Sequence, residues 1–356
     1  MKTMQMMSPL VLGACCIALC GRNVHAQQVR ATAEMAQTPE MQLRASILVP
    51  ERRHTDYDYA WNMLEGMYLK EKAAKPALTR KEFALALHDK AVAGDVNAGY
   101  YYGAARMTAF GVAGGPDREV EGFIGTAMKA AKPEAIRDYA ILTFIGVGMK
   151  ADRAAAFALA KKAADMGLPS GMSLEAEFLQ AGVVGKENLI DALDLFKKAA
   201  AAGDVVAMNN VGEILAETDP AQAMTYFRRA AAGGDDRASL AYGMGLVRGN
   251  GVAKDEKAGV ELVAASATLG NPDAQRLMGV FNLNGSHGVA ENETLGRLYM
   301  EAAAINGDSD AQIELGIMHL DGLDGVAKNH DVGMEWMMKA SKQGNPRALE
   351  EMKKRM

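Results

Sequence analysis

Gly307-Asp308-Ser309-Asp310-Ala311 is spelled, with small changes, five more times in this chain. The other copies are Gly94-Asp95-Val96-Asn97-Ala98, Gly203-Asp204-Val205-Val206-Ala207, Gly234-Asp235 to Ala238, Gly270-Asn271-Pro272-Asp273-Ala274 and Gly344-Asn345-Pro346-Arg347-Ala348. Weaker versions occur at Lys132-Pro133-Glu134-Ala135 and Gly167-Leu168-Pro169-Ser170-Gly171. The final residue of each copy forms a column at 98, 135, 171, 207, 238, 274, 311 and 348, with spacings of 37, 36, 36, 31, 36, 37 and 37. A period this regular signals a stacked array of small units and overrides the two-domain expectation that 356 residues would otherwise raise.

The spelling has a physical reading. Glycine accepts the left-handed backbone that ends one helix, and the following Asp or Asn caps the next. Pro133, Pro169, Pro272 and Pro346 sit where a first-turn proline loses nothing by its missing amide. Half a repeat away, Gly251-Val252-Ala253-Lys254-Asp255, Gly288-Val289-Ala290-Glu291-Asn292 and Gly325-Val326-Ala327-Lys328-Asn329 mark a second loop, with looser forms at Val147–Asp152 and Val184–Asn188. Asp117, Asp152, Asn188, Asp219, Asp255, Asn292 and Asn329 are expected to cap the second helix of each pair, with the loop valine plugging into the core. The copy before Ala238 replaces this loop with Glu217-Thr218-Asp219-Pro220, which accounts for the spacing of 31.

Small residues return inside the helices. They stand at Gly103, Ala140, Ala176, Gly212, Gly243, Gly279 and Gly316 in the first helices, and at Ala156, Ala192, Ala223, Gly259, Gly296 and Gly333 in the second. Glycine lowers helix stability by about 1 kcal/mol relative to alanine, so its regular return implies close approach between helices. Asp56–Leu69 and Thr79–Ala93 fit a divergent first pair, and the charged helix from Pro346 fits a polar cap.

These columns together resemble the Sel1-like repeat family, a branch of the tetratricopeptide superfamily. The carrying segments are Ala274-x3-Met278-Gly279, Ala311-x3-Leu315-Gly316-x5-Gly322-x2-Gly325-Val326 and Trp336-x3-Ala340-x3-Gly344. The resemblance implies an all-α, right-handed α/α superhelical solenoid over 56–356, with about eight helix-pair repeats and a C-terminal capping helix. Asn282 and His319 stand where the family usually has tyrosine, and the repeats from 98 to 200 are degenerate.

The N-terminus reads as an address. Lys2, an apolar stretch from Met4 to Leu19 and Val24-His25-Ala26 before Gln27 fit a secretory signal peptide, 1–26, cleaved between Ala26 and Gln27. Leu12-Gly13-Ala14-Cys15 offers lipoprotein attachment as a minor alternative, although the residues after Cys15 stay apolar. Residues 27–55, polar and without strong periodicity, read as a tether. The expected product is periplasmic or secreted, with no integral span after cleavage.

Composition narrows the chemistry. Loss of Lys2 and Arg22 with the leader leaves 37 basic against 44 acidic residues, a formal charge of −7, which argues against a nucleic-acid partner. All three cysteines, Cys15, Cys16 and Cys20, lie in the leader, so the mature chain has no thiol chemistry. No Ser-x-x-Lys, Gly-x-Ser-x-Gly or His-Glu-x-x-His occurs. Some family relatives have been described as β-lactamases, and this chain gives that reading no support. His319 with Asp321 and Asp324 reads as helix ending and capping rather than a metal site. No catalytic residue, metal or cofactor is expected.

A solenoid's first helices line its concave face, which offers a long surface for a protein or peptide. Ala60, 38 residues before Ala98, extends the column, and counting two residues beyond each position from 60 to 311, opposite the packed face, gives Asn62, Tyr100, Arg137, Ser173, Asn209, Leu240, Arg276 and Ile313. The next positions add Tyr101, Asp138 and Asn210. Tyr100, Tyr101, Arg137, Asn209, Asn210 and Arg276 are the candidate contacts for a non-enzymatic adaptor or regulator in the bacterial cell envelope. The alternative is a cell-wall or exopolysaccharide-associated protein, binding or hydrolysing glycan, for which Trp61 and Trp336 supply no aromatic stripe. Most of the 24 methionines remain after cleavage and read as core filler in an alanine-rich stack.

Overall fold

The computed structural model describes residues 58–112 and 114–355. The signal peptide with its Ala26–Gln27 cleavage site, Cys15 and the tether 27–55 lie outside the described residues. The chain divides into two compact units, Arg53–Ile214 and Leu215–Met356. The first carries α1 (Asp58–Ala74), α2 (Arg80–Val92), α3 (Val96–Met107), α4 (Arg118–Lys129), α5 (Pro133–Ile145), α6 (Arg153–Asp165), α7 (Pro169–Gln180), α8 (Leu189–Ala201) and α9 (Val205–Leu215), which ends at the boundary. The second carries α10 (Pro220–Ala232), α11 (Asp236–Arg248), α12 (Glu256–Thr268), α13 (Pro272–Asn284), α14 (Glu293–Ile305), α15 (Ser309–Asp321), α16 (His330–Lys342) and α17 (Pro346–Arg355). The order matches eight helix pairs followed by a terminal helix, and the described residues contain no strand.

The turn chemistry works as its spelling requires. Gly94, Gly203, Gly234, Gly270, Gly307 and Gly344 all hold φ between 85° and 99°. In the degenerate copy Ala131 takes their place at φ 58°, a backbone that disfavours a side chain. Asp308 then accepts from the Ala311 amide at 2.6 Å and starts α15. All seven expected caps of the second helices accept an amide from the first turn. The loop valine is less uniform. Val326 is buried, whereas Val184 is exposed and Val183 fills the core instead.

Within a unit, first helices such as α7, α11, α13 and α15 are held from two sides. The column residue faces the preceding second helix: a Cβ on Gly171 would lie 2.8 Å from Ala163 of α6. Five residues on, the small residue faces its own second helix. In the C-terminal unit these contacts are reciprocal glycine crossings. A Cβ on Gly243 would lie 2.8 Å from the Gly259 carbonyl oxygen, and one on Gly259 would lie 2.6 Å from that of Gly243. Gly279 with Gly296, and Gly316 with Gly333, repeat the arrangement. The N-terminal unit uses the fully buried Ala140, Ala156, Ala176 and Ala192 at the same positions.

Buried amides add a second link between repeats. Gln275 Nε2 donates to the Ala267 carbonyl at the end of α12, while its Oε1 accepts from Asn306 just past α14. Gln312 repeats this with the Ala304 carbonyl and Gln343. One side chain thus satisfies a carbonyl of the preceding second helix and ties in the next, at a position where an unpaired polar group would destabilise.

The glycine crossings carry a prediction. Gly259→Ala forces a Cβ against backbone and is expected to destabilise by about 1–3 kcal/mol through overpacking. Gly122→Ala, in the middle of α4 with open space around it, is expected to stabilise by about 1 kcal/mol through helix propensity. Urea titrations of the two variants check both signs.

Candidate functional site

A helix packed from two sides exposes only a narrow arc. At about 100° per residue, the column residue and the one five beyond it lie about 140° apart, and the position two beyond falls at about 200°, beside the second packed side and at the edge of the free arc. The position six beyond the column falls at about 240°, near the middle of the free arc, whereas the position three beyond falls at about 300°, nearer the column side, and is buried at Asp138, Leu174 and Asn210 but half-buried at Tyr101, Leu277 and Glu314. Burial follows this geometry. Tyr100, Arg137, Ser173, Asn209 and Ile313 are buried, and Leu240 and Arg276 are half-buried. The positions counted as opposite the packed face are therefore mostly interior, which corrects that projection. Side chains of residues 58–62, Asn62 among them, lie outside what the structure describes.

The structure brings Tyr100, Tyr101 and Arg137 together and leaves the others apart. Tyr100 and Tyr101 ring centroids lie 5.6 Å apart, and Lys132 Nζ stands 5.1 Å and 5.5 Å from the two rings. Arg137 and Asp138 form an ion pair inside the unit. Burial pushes the Asp138 carboxyl up against the pull of Arg137 and the Tyr100 hydroxyl. It also pushes the Tyr100 phenol well above its ordinary value, with the Asp138 charge adding to the shift. Asn209 and Asn210 are buried on α9, and Asn209 Nδ2 donates to Glu213 Oε1 at 2.7 Å.

Arg276 belongs to the C-terminal unit. Its Nε donates to Asp308 Oδ2 at 2.9 Å and its Nη2 reaches Asp273 at 3.4 Å. Asp308 thereby does two things, capping α15 and joining it to α13. Burial raises the Asp308 carboxyl despite the Ala311 amide and Arg276. Arg276 is a stacking contact, which its spacing alone could not distinguish from a surface anchor.

The outward arc differs between the units. On α3, α5, α7 and α9 it carries half-buried Tyr101, Ile141 and Glu177 and exposed Glu213. On α11, α13 and α15 it carries half-buried Met244, Leu277, Val280, Glu314 and Ile317. Of these only Tyr101 was singled out from the sequence. The signal for the rest was the second small column, which marks a second packed side and rotates the free arc.

The sequence model of the family described as Sel1 repeat matches residues 133–168, 176–204, 206–235, 238–271, 272–308 and 309–345, more than half of the chain. Among solved structures, a Sel1 repeat protein from Oxalobacter formigenes is similar at 28% identity and a TM-score of 0.58, over 64% of this chain and 94% of that one. The antigen c5321 of uropathogenic Escherichia coli, described as protective and as displaying an SLR fold, is similar at 25% identity and a TM-score of 0.50. That match covers 74% of this chain and 57% of the antigen, so this chain spans less than two thirds of the antigen's length.

The Arg276–Asp308 pair predicts a pH dependence. An acid whose folded pKa is raised binds its proton more tightly in the folded state, so its contribution to stability falls as pH climbs from about 4. Arg276→Ala removes the nearby cation and enlarges that fall. The variant is expected to melt close to wild type near pH 4 and to lose about 1 kcal/mol by pH 7, discounted for partial exposure. Thermal melts across that range check it, and a gap that narrows with rising pH would contradict the pairing.

Proposed function

The chain belongs to the Sel1 repeat family, and on that premise we propose that it is a non-enzymatic protein-interaction scaffold of the bacterial cell envelope. It binds a partner protein or peptide along the outward arc of its first helices. Sel1 repeat proteins are in general protein-interaction scaffolds. The observation that carries the reading is the half-exposed apolar row Met244, Leu277, Val280 and Ile317 on three successive first helices. These side chains pack against the core while staying partly open to solvent, and an apolar row of this kind supports a contact site. Tyr101 extends the same idea to the N-terminal unit, with Lys132 over its ring.

Placement in the envelope rests on the leader: Lys2, the apolar stretch that follows and Val24-His25-Ala26. No described helix is long and apolar enough to cross a membrane. The partner is a protein rather than a glycan because the outward arc supplies aliphatic and carboxylate contacts in place of a run of aromatic faces.

A photo-crosslinking residue placed singly at 101, 141, 277 or 280 tests this in the native cell envelope, with placement at 162 on the exposed side of α6 as the control. One protein adduct from the arc positions and none from 162 is the expected result. Glycan adducts, or equal labelling from every position, would overturn the reading. The mature chain should begin at Gln27 on N-terminal sequencing.

A further inference from the structure

We propose that Asn250 is a site of spontaneous modification, where attack by the Gly251 amide converts the asparagine to aspartate and isoaspartate, and that the isoaspartate form loosens the C-terminal unit. The chain holds three Asn-Gly pairs, Asn250-Gly251, Asn284-Gly285 and Asn306-Gly307. Glycine in the second place leaves the nitrogen without a neighbouring Cβ to hinder its approach. The fold treats the three pairs unequally. The Gly285 amide donates to the Phe281 carbonyl at the end of α13, and the Gly307 amide donates to the Ala304 carbonyl at 3.3 Å. Asn306 is held as well, since its Nδ2 donates to Gln275 Oε1 at 2.9 Å. Asn250 lies exposed in the loop between α11 and α12. Its own amide donates to the Gly245 carbonyl at 3.0 Å. Among the described residues, neither its side chain nor the Gly251 amide beyond it has a hydrogen-bond partner.

The reaction needs only water. The Gly251 nitrogen bonds to Asn250 Cγ, the Cγ–Nδ2 bond breaks, and ammonia leaves with the proton from the Gly251 amide. Water then opens the five-membered imide. Opening at Cγ gives aspartate, whereas opening at the main-chain carbonyl gives isoaspartate, whose backbone runs through Cβ and Cγ and is one carbon longer. The loop has no room for that carbon. Gly251 holds φ 68°, and a Cβ on it would collide with the Pro220 carbonyl in the first turn of α10. Glycine is therefore required there, and Asn-Gly stands where the corresponding loops have His287-Gly288 and Asp324-Gly325. An imidazole offers no carbonyl to attack, and a carboxylate is a poorer electrophile than a carboxamide. A lengthened backbone at 250 presses Gly251 onto the start of α10, the contact by which this loop touches the preceding repeat.

Ageing the full chain in mildly alkaline buffer, folded and in urea, tests the assignment by peptide mass spectrometry and isoaspartyl methyltransferase labelling. In the folded chain, conversion at Asn250 is expected to run at least about tenfold faster than at Asn284 or Asn306, and in urea the three rates are expected to converge. Equal rates in the folded chain, faster conversion at 284 or 306, or a preference for 250 that survives urea unchanged overturns the assignment. The consequence at Pro220 is read by melting. The aged chain is expected to melt at least about 2 °C lower than the fresh one. Aged Asn250→Gln, whose longer side chain closes its ring slowly, and fresh Asn250→Asp, which carries the charge without the extra carbon, are expected to keep the fresh melting temperature. An equal loss in either variant, or no loss in the aged chain once isoaspartate has formed, overturns the loosening.

Discussion

The close approach of backbones where helices cross is the constraint from which the rest of each unit follows. A first helix must fit between the second helix before it and the second helix after it. Both contacts are near enough that only alanine or glycine is tolerated at the crossing points, as the Gly243 and Gly259 carbonyls demonstrate. Large side chains are then confined to the spaces between crossings, where Phe196, Leu298 and Met337 are fully buried. This explains an alanine-rich composition with few rings, 49% hydrophobic and only 6% aromatic.

The same confinement decides where chemistry is available to a partner. Two packed sides leave one outward arc, so each repeat contributes a residue or two to the surface of its first helix. Exchange of those few residues alters recognition without touching the crossings. The N-terminal unit spends them on Tyr101, Glu177 and Glu213, and the C-terminal unit on Met244, Leu277 and Ile317. Buried polar groups behave differently in the two units as well. Arg137 and Asp138 form a closed ion pair in the first, while in the second Gln275 and Gln312 join one repeat to the next through main-chain carbonyls.

What could be read from the sequence was local and repeated. Turn glycines, helix caps and first-turn prolines depend on backbone conformation over a few residues, and Asp117, Asn188 and Asn329 all cap where their spelling placed them. The small columns were visible for the same reason. The candidate site was less legible because it depends on how many sides of a helix are covered. Treating each first helix as two-faced put Tyr100, Arg137 and Asn209 on the surface, and a second packed side buries them. The glutamine link escaped notice because Gln275 and Gln312 occur in only two repeats, and their partners Asn306 and Gln343 lie 31 residues away. Family membership follows from the columns, whereas the partner is written in arc residues that do not repeat.

The glutamine link also bears on how such a chain changes length over generations. Each amide reads a carbonyl at the end of one repeat and a side chain at the end of the next, so gain or loss of an entire repeat preserves every partner. A shorter insertion within a helix would rotate the amide away from both. The segment Glu217-Thr218-Asp219-Pro220 is the instructive exception: the missing residues fall in the loop, and Asp219 still caps α10 through Gln222. Duplication of whole modules, with trimming confined to loops, is the growth that this architecture permits, and its length is accordingly inherited in steps.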